Sequence, residues 1–165
     1  MKKVIVIGCP GSGKSMFSRA LHSATGLKLF HLDLMYWNAD RTIVDKPIFL
    51  QRLSDAMQTD EWIIDGNYAS TLELRLQACD TVIFLDYPLD VCLSGIRQRK
   101  GSPRPDMPWV EQASEEDADF IQFIQNYNSQ NRPAVLELLG KYTDKQVYIF
   151  KDRSEADAFL RGFPR

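Results

Sequence analysis

Residues 8–15 read Gly8-Cys9-Pro10-Gly11-Ser12-Gly13-Lys14-Ser15, a complete G-x-x-x-x-G-K-S pattern between the apolar run 4–7 and an amphipathic segment that begins at Met16. No other stretch constrains the fold as strongly. Its glycines let the chain curl closely enough for consecutive backbone N–H groups to surround a phosphate, a path that side chains would obstruct. Lys14 then reaches the β and γ phosphates, and the Ser15 hydroxyl is a ligand for Mg²⁺. Phe17, Ala20, Leu21 and Ala24 fall on one helical face, so the loop opens a helix whose N-terminal dipole favours anions. Strand, loop and helix in that order argue against a plain glycine-rich turn. They predict a nucleoside-triphosphate site built from Gly8, Pro10, Gly11, Ser12, Gly13, Lys14 and Ser15, with ATP or another NTP and Mg²⁺ as its ligands.

A chain of 165 residues suits one domain, 1–165, that buries a sizeable core without a metal or disulfide staple. The formal net charge of -2 and a pI near 5.7 argue against a broad basic surface for nucleic acid. Cys9, Cys79 and Cys92 have no zinc-type spacing and leave one thiol over in any disulfide scheme, which points to a reducing cytoplasm. The apolar run after Lys2-Lys3 ends at the loop, and no run approaches the roughly 20 residues a bilayer requires, so no membrane partner is expected.

Strands are predicted over 4–7, 28–32, 61–66, 81–85 and 146–150, alternating with helical patterns. The first helix stops near Gly26; residues 34–44 read as loop; Asp45 and Pro47 open a helix that buries Phe49, Leu50, Leu53, Ala56 and Met57. Ser70 and Glu73 form a capping box before Leu72 and Leu76. A helix over 89–100 buries some combination of Val91, Cys92 and Ile96. Three prolines and a glycine make 101–108 a mobile surface segment. Glu115-Glu116-Asp117 suits a first helical turn, with Phe120, Phe123, Ile124 and Tyr127 as the buried stripe, and Pro133 breaks that helix at Asn131-Arg132. A short helix follows, and 154–160 is the last. This alternation predicts an α/β fold with a parallel sheet and helices on both faces.

Phosphoryl transfer asks a protein to position donor and acceptor and to offset spreading negative charge with Mg²⁺, Lys and Arg. Asp33, after the second strand, would orient an acceptor hydroxyl or hold a water of the Mg²⁺ shell; as a plain residue it would cap a turn. Asp65 ends the third strand in the setting of a carboxylate that meets Mg²⁺ through water, or serves as a turn former. Gly66 would let an acceptor approach the backbone. Arg97, Arg99 and Arg104 surround the start of the Pro-rich segment and Arg132 lies beyond it, a pattern suited to a lid over about 98–115 that closes on phosphates and excludes water. Arg97 and Arg99 cannot share one helical face, and Arg97 is preferred as the catalytic partner of Lys14, Asp33 and Arg132. Tyr36, Trp37 and Tyr68 would stack on a base, line an acceptor pocket or pack a loop. Arg75 would receive an acceptor anion or stay solvated. His22 and His31 receive no ligand role, and Cys9 is an oxidation liability.

The phosphate loop, His31-Leu32-Asp33 with Tyr36-Trp37, Trp62-Ile63-Ile64-Asp65-Gly66-Asn67-Tyr68, Phe84-Leu85-Asp86-Tyr87-Pro88 and Arg97 to Arg99 together resemble the bacterial DNA topology modulation proteins, relatives of adenylate kinase and shikimate kinase. The resemblance covers nearly the whole chain. It implies a P-loop NTPase fold of the nucleoside-monophosphate-kinase type: three layers, α/β/α, around a five-stranded parallel sheet, with an acceptor-binding excursion over about 33–60 and an arginine lid. Asp65-Gly66 matches adenylate kinases, but Asn67-Tyr68 stands where those have Phe-Pro-Arg, which removes the arginine that holds AMP phosphate. Arg132-Pro133 resembles the Arg-Pro by which shikimate-kinase-like enzymes set a basic residue over the nucleotide; such enzymes phosphorylate hydroxyls, which gives Asp33 the acceptor-positioning role. The expected activity is transfer of a γ phosphate to a small nucleotide or hydroxyl compound, with a nucleotide-dependent switch acting on a protein or DNA partner as the alternative.

Overall fold

In the computed structural model, which describes residues 1–112 and 117–163, five strands pair in parallel in the order β2-β3-β1-β4-β5. These are β1 (Lys3–Gly8), β2 (Lys28–His31), β3 (Trp62–Asp65), β4 (Thr81–Leu85) and β5 (Gln146–Phe150). The helices are α1 (Lys14–Thr25), α2 (Leu32–Tyr36), α3 (Lys46–Met57), α4 (Ala69–Ala78), α5 (Leu89–Arg99), α6 (Ala118–Asn126), α7 (Arg132–Lys141) and α8 (Arg153–Arg161). None of them is long and apolar enough to cross a membrane.

The continuous apolar runs of β1, β3 and β4 are explained by burial on both sides, since successive strand residues point to opposite faces. Val4, Val6, Ile63, Ile83 and Leu85 pack with α1, α5, α6 and α8. Ile5, Ile7, Trp62, Ile64, Val82 and Phe84 pack with α2, α3, α4 and α7. Two cores flank one sheet, and the three-layer expectation holds. The pairing register sets Val6 beside Asp65 and Asp65 beside His31, which gathers the ends of β1, β2 and β3 at one edge.

Local expectations fail where tertiary contacts override them. Residues 32–36 form a short helix where strand was expected to 32 and loop from 34, so Asp33 sits in a first helical turn, and Trp37 pairs with Ile43 in an antiparallel bridge. The Ser70–Glu73 capping box does not form: α4 begins at Ala69, with Tyr68 at its N-cap in the left-handed region (φ 30°, ψ 73°) and no side-chain cap. Pro133 does not break the chain's helical path. Residues Tyr127–Asn131 make a π-helical turn that leads into α7, and Pro133 sits in the first turn, where a missing N–H leaves no bond unmade. Ala20 is exposed while Ser18 joins Phe17 and Leu21 inside, and Phe123 is 40% exposed. Glu115 and Glu116 lie outside the described residues; Asp117 is the N-cap of α6, accepting from the Phe120 N–H at 2.9 Å.

The loop 8–15 is pressed directly onto α5. A Cβ on Gly11 would stand 2.0 Å from the Cys92 carbonyl oxygen, and one on Gly95 would stand 2.0 Å from the Gly11 carbonyl oxygen. Gly11 also takes φ 84°, which L side chains avoid. Gly95→Ala should therefore cost about 1–3 kcal/mol through overpacking, lowering Tm by about 2–4 °C per kcal/mol. Thermal unfolding checks it, and a Tm equal to that of the parent contradicts this packing.

Candidate active site

A cleft of about 900 Å³ opens at the edge where β1 and β3 end, lined by the loop, by Asp33 and Trp37, by Asp65 to Tyr68, by Gly95, Ile96 and 98–100 of α5 and its end, and by 102–107 of the segment after it. Its location follows the rule that parallel sheets bind ligands beyond the carboxyl ends of their strands. Helix α1 starts under the cleft with Gly13 at its N-cap and no side-chain cap, and the space beside Gly13 is open. The first-turn N–H groups of α1 thus present the donors and the dipole that an anion requires.

Lys14 is folded against its own loop, donating from Nζ to the carbonyls of Gly8 (2.9 Å) and Cys9 (3.2 Å). Burial pushes its ammonium below the ordinary lysine value, while the charges of Asp33 and Asp65 work the other way. Asp65, buried at the end of β3, accepts at Oδ2 from His31 Nδ1 at 2.8 Å. Asp33 accepts at Oδ1 from the Tyr68 hydroxyl at 2.5 Å. Burial pushes the Asp33 carboxyl above the usual carboxylate range, with the Tyr68 bond and Lys14 opposing. Asn67 reaches the loop from the other side, its Oδ1 accepting the Gly8 N–H at 3.1 Å.

The segment after α5 folds over this constellation. The Ser15 hydroxyl donates to Asp106 Oδ2 at 2.9 Å across 91 residues of sequence. Asp106 is only 3% exposed and lies 3.5 Å from Arg19 and 3.6 Å from Arg104. Burial pushes its carboxyl up, yet Arg104 and the Ser15 hydroxyl together hold it below the usual range. Arg99 forks onto Glu111 at 2.9 and 3.3 Å. Trp109 meets Trp37 edge-on at 5.1 Å, and the Arg41 guanidinium lies 5.9 Å from the Trp109 ring.

Two solved structures follow this chain almost from end to end. A shikimate kinase from Bacteroides thetaiotaomicron is 16% identical, with a TM-score of 0.58 over 96% of this chain and 93% of its own. A shikimate kinase from Acinetobacter baumannii in complex with shikimate is 14% identical, with a TM-score of 0.64 over 98% of this chain and 89% of its own. The fold is that of the P-loop kinases. At these identities the likeness is one of fold; no protein-family model matches the chain, and no curated protein matches its sequence.

Of the residues singled out by sequence, this P-loop kinase fold brings Pro10, Gly11, Gly13, Lys14, Ser15, Asp33, Trp37, Asp65, Gly66, Tyr68 and Arg99 to the cleft. Gly8 and Ser12 support the loop from behind, Ser12 being buried. Four residues go elsewhere. Arg97 is exposed and lies off the cleft, two helical positions from Arg99, so Arg99 rather than the preferred Arg97 faces the cleft. Arg132 forks onto Asp86 at 2.7 and 2.8 Å, and Lys151 joins the same carboxylate. Tyr36 packs in an aromatic cluster with Phe49 and Tyr68, at 5.4 and 4.7 Å. Arg75 is neither solvated nor in the cleft; it is fully buried beneath residues 66–68.

Asp106 and Gly95 were not singled out by sequence, His31 was given no role, and Asn67 stood only as a departure from the adenylate-kinase pattern. Gly95 had a signal, since a glycine inside a helical pattern marks a close backbone approach. Asp106 had none, because an aspartate among prolines is ordinarily a turn former. Cys9 has a neighbour as well: the Cys92 thiol and burial push its own thiol far above the ordinary value. Asp106→Ala should release the segment from α1. Trypsin should then cut after Lys100 about tenfold faster than in the parent or more, as expected from the loss of a charge-assisted hydrogen bond worth about 1.5–3 kcal/mol. Equal cleavage rates contradict the latch.

Proposed function

We propose that this protein is an ATP- and Mg²⁺-dependent phosphotransferase that phosphorylates a hydroxyl group of a small acceptor. The observation that carries this reading is the convergence of Lys14, Ser15, Asp33 and Asp65 on one cleft at the uncapped start of α1. The P-loop kinase fold and the resemblance to the DNA topology modulation proteins, carried by the loop and by Asp33 and Asp65-Gly66-Asn67-Tyr68, support it.

In this reading the loop amides and the first turn of α1 hold the donor phosphates, and Lys14 leaves the Gly8 and Cys9 carbonyls to meet them. The donor set suits a hard cation, for it consists of the Ser15 hydroxyl and the nearby Asp65 carboxylate. Bound Mg²⁺ would supply charge neutralisation on the phosphates. Asp33 is the group that accepts the acceptor's hydroxyl proton: Tyr68 fixes one of its oxygens, and burial keeps its affinity for a proton high. Arg99 and Arg104 stand on the lid side, where they would offset charge spreading over the transferred group. Trp37, Gly66 and Tyr68 would wall the acceptor, and the 101–112 segment would exclude water once closed.

Lys14→Ala should abolish measurable ATP binding by calorimetry. Asp33→Asn should keep ATP affinity within a few-fold while removing acceptor-dependent ADP release across a metabolite panel. The acid limb of that release tests the base itself. Asp33 must be ionised to accept a proton and burial raises its pKa, so activity should fall as pH drops through a value above the ordinary ~3.9 of an aspartate. Absence of any acceptor-dependent ADP release by the parent protein, or full release by Asp33→Asn, contradicts the proposal.

A further inference from the structure

The loop after β3 carries two side chains that face different halves of the cleft. Asn67 Oδ1 accepts the Gly8 N–H at the head of the phosphate loop (3.1 Å), and the Tyr68 hydroxyl donates to Asp33 (2.5 Å). The backbone between them is not a relaxed turn. Gly66 has φ 132°, and a Cβ there would stand 2.8 Å from the Leu32 Cβ; Tyr68 has φ 30°, a left-handed conformation uncommon outside glycine. Such a path persists only when its surroundings over-determine it.

The Gly66 N–H bonds the Val6 carbonyl at 3.1 Å and the Thr71 N–H bonds the Tyr68 carbonyl at 2.9 Å, but most of the grip comes from one side chain. Arg75, fully buried on α4, donates from Nη1 to the Gly66 carbonyl at 2.9 Å and from Nη2 to the carbonyls of Asn67 and Tyr68 at 2.5 and 3.3 Å. Its Nε donates to Thr71 Oγ1 at 3.3 Å, and that hydroxyl in turn donates to the Tyr68 carbonyl at 3.0 Å. Three successive carbonyls converge on a single guanidinium. A planar fork with five donors can serve all of them, whereas a lysine ammonium is a point charge with no such geometry.

We infer that Arg75 is a positioning residue for both halves of the site: by gripping the carbonyls of residues 66–68 it sets Asn67 against the phosphate loop and Tyr68 against Asp33. Donor and acceptor groups are thereby registered to each other through one buried cation that touches neither. The inference rests on the reading of the cleft as a phosphotransferase site, but two of its measurements need no acceptor.

The experiment compares the parent with Asn67→Ala, Tyr68→Phe, Arg75→Met, Arg75→Lys and Thr71→Val. ATP affinity with Mg²⁺ is read by calorimetry. The Tyr68–Asp33 bond is read as a downfield, slowly exchanging hydroxyl proton in the NMR spectrum, assigned by its loss in Tyr68→Phe. Asn67→Ala should weaken ATP about tenfold, the value of one hydrogen bond, and keep the proton signal. Tyr68→Phe should lose the signal and hold ATP affinity within about twofold, below the ~0.5–1.5 kcal/mol of one hydrogen bond. Arg75→Met should do both at once, and Arg75→Lys should not rescue it. Adding Asn67→Ala to Arg75→Met should weaken ATP no further, because the two changes remove the same contact. If Arg75→Met does not fold, Thr71→Val decides: nearly isosteric, it removes two bonds of the same grip and should move both readouts in the same direction by less. A folded Arg75→Met with parental ATP affinity and an intact proton signal overturns the inference, as does a folded Thr71→Val that moves neither. Failure of the parent to bind ATP would instead sink the proposed function, leaving the proton signal to judge Arg75 by itself.

Discussion

The backbones at Gly11 and Gly95 meet with no room for a methyl group between them, and the rest of the site depends on that contact. It fixes the phosphate loop against α5 at the point where β1 gives way to α1. With the loop so held, the first-turn amides of α1 face the cleft, and Lys14 lies along the loop at the cleft wall. The sheet register then brings Asp65 and His31 to the same edge. Contacts with interior packing density tolerate little change, so the position of the loop is inherited from the core.

Two carboxylates near the loop are tuned in opposite directions by their environments. Asp33 is desolvated and holds its proton more tightly than a free aspartate; Asp106 is buried as well, but Arg104 and the Ser15 hydroxyl keep it charged. Such divergence is how one site assigns separate roles to chemically identical groups. Asp33 becomes the group able to exchange a proton, and Asp106 a fixed charge that ties the proposed lid to α1. The same logic separates the arginines. Arg99 faces the cleft with Glu111 as its counter-charge, whereas Arg132 is neutralised by Asp86 away from it.

Much of the fold was legible because it rests on periodicity. The strands at 81–85 and 146–150 stand as the sequence pattern predicts, and Gly26 ends α1 in the left-handed conformation that glycine favours. The phosphate loop was legible because its glycines and Lys14 satisfy a local stereochemical demand. The remainder of the site was not, for it is made of contacts across long sequence distances. Nothing near Asp106 in sequence announces Ser15, and nothing near Arg75 announces that three carbonyls will turn toward it. Arg97 and Arg99 differ by 200° around a helix of 3.6 residues per turn, so choosing between them required knowing which face α5 buries. The Ser70–Glu73 box failed for a related reason, since the chain at Tyr68 is already held by Arg75 and Thr71 before a local cap can form.

The proposed chemistry requires the loop at residues 8–15 to hold donor phosphates with Asp33 facing the group to be transferred. A crystal structure with Mg²⁺ and a non-hydrolysable ATP analogue tests it most directly. The predicted result has Lys14 Nζ moved from the Gly8 and Cys9 carbonyls onto the β and γ phosphates, with the γ phosphate on the Asp33 side of the cleft. An analogue bound elsewhere, or one bound in the cleft while Lys14 stays on its own loop, would contradict the account.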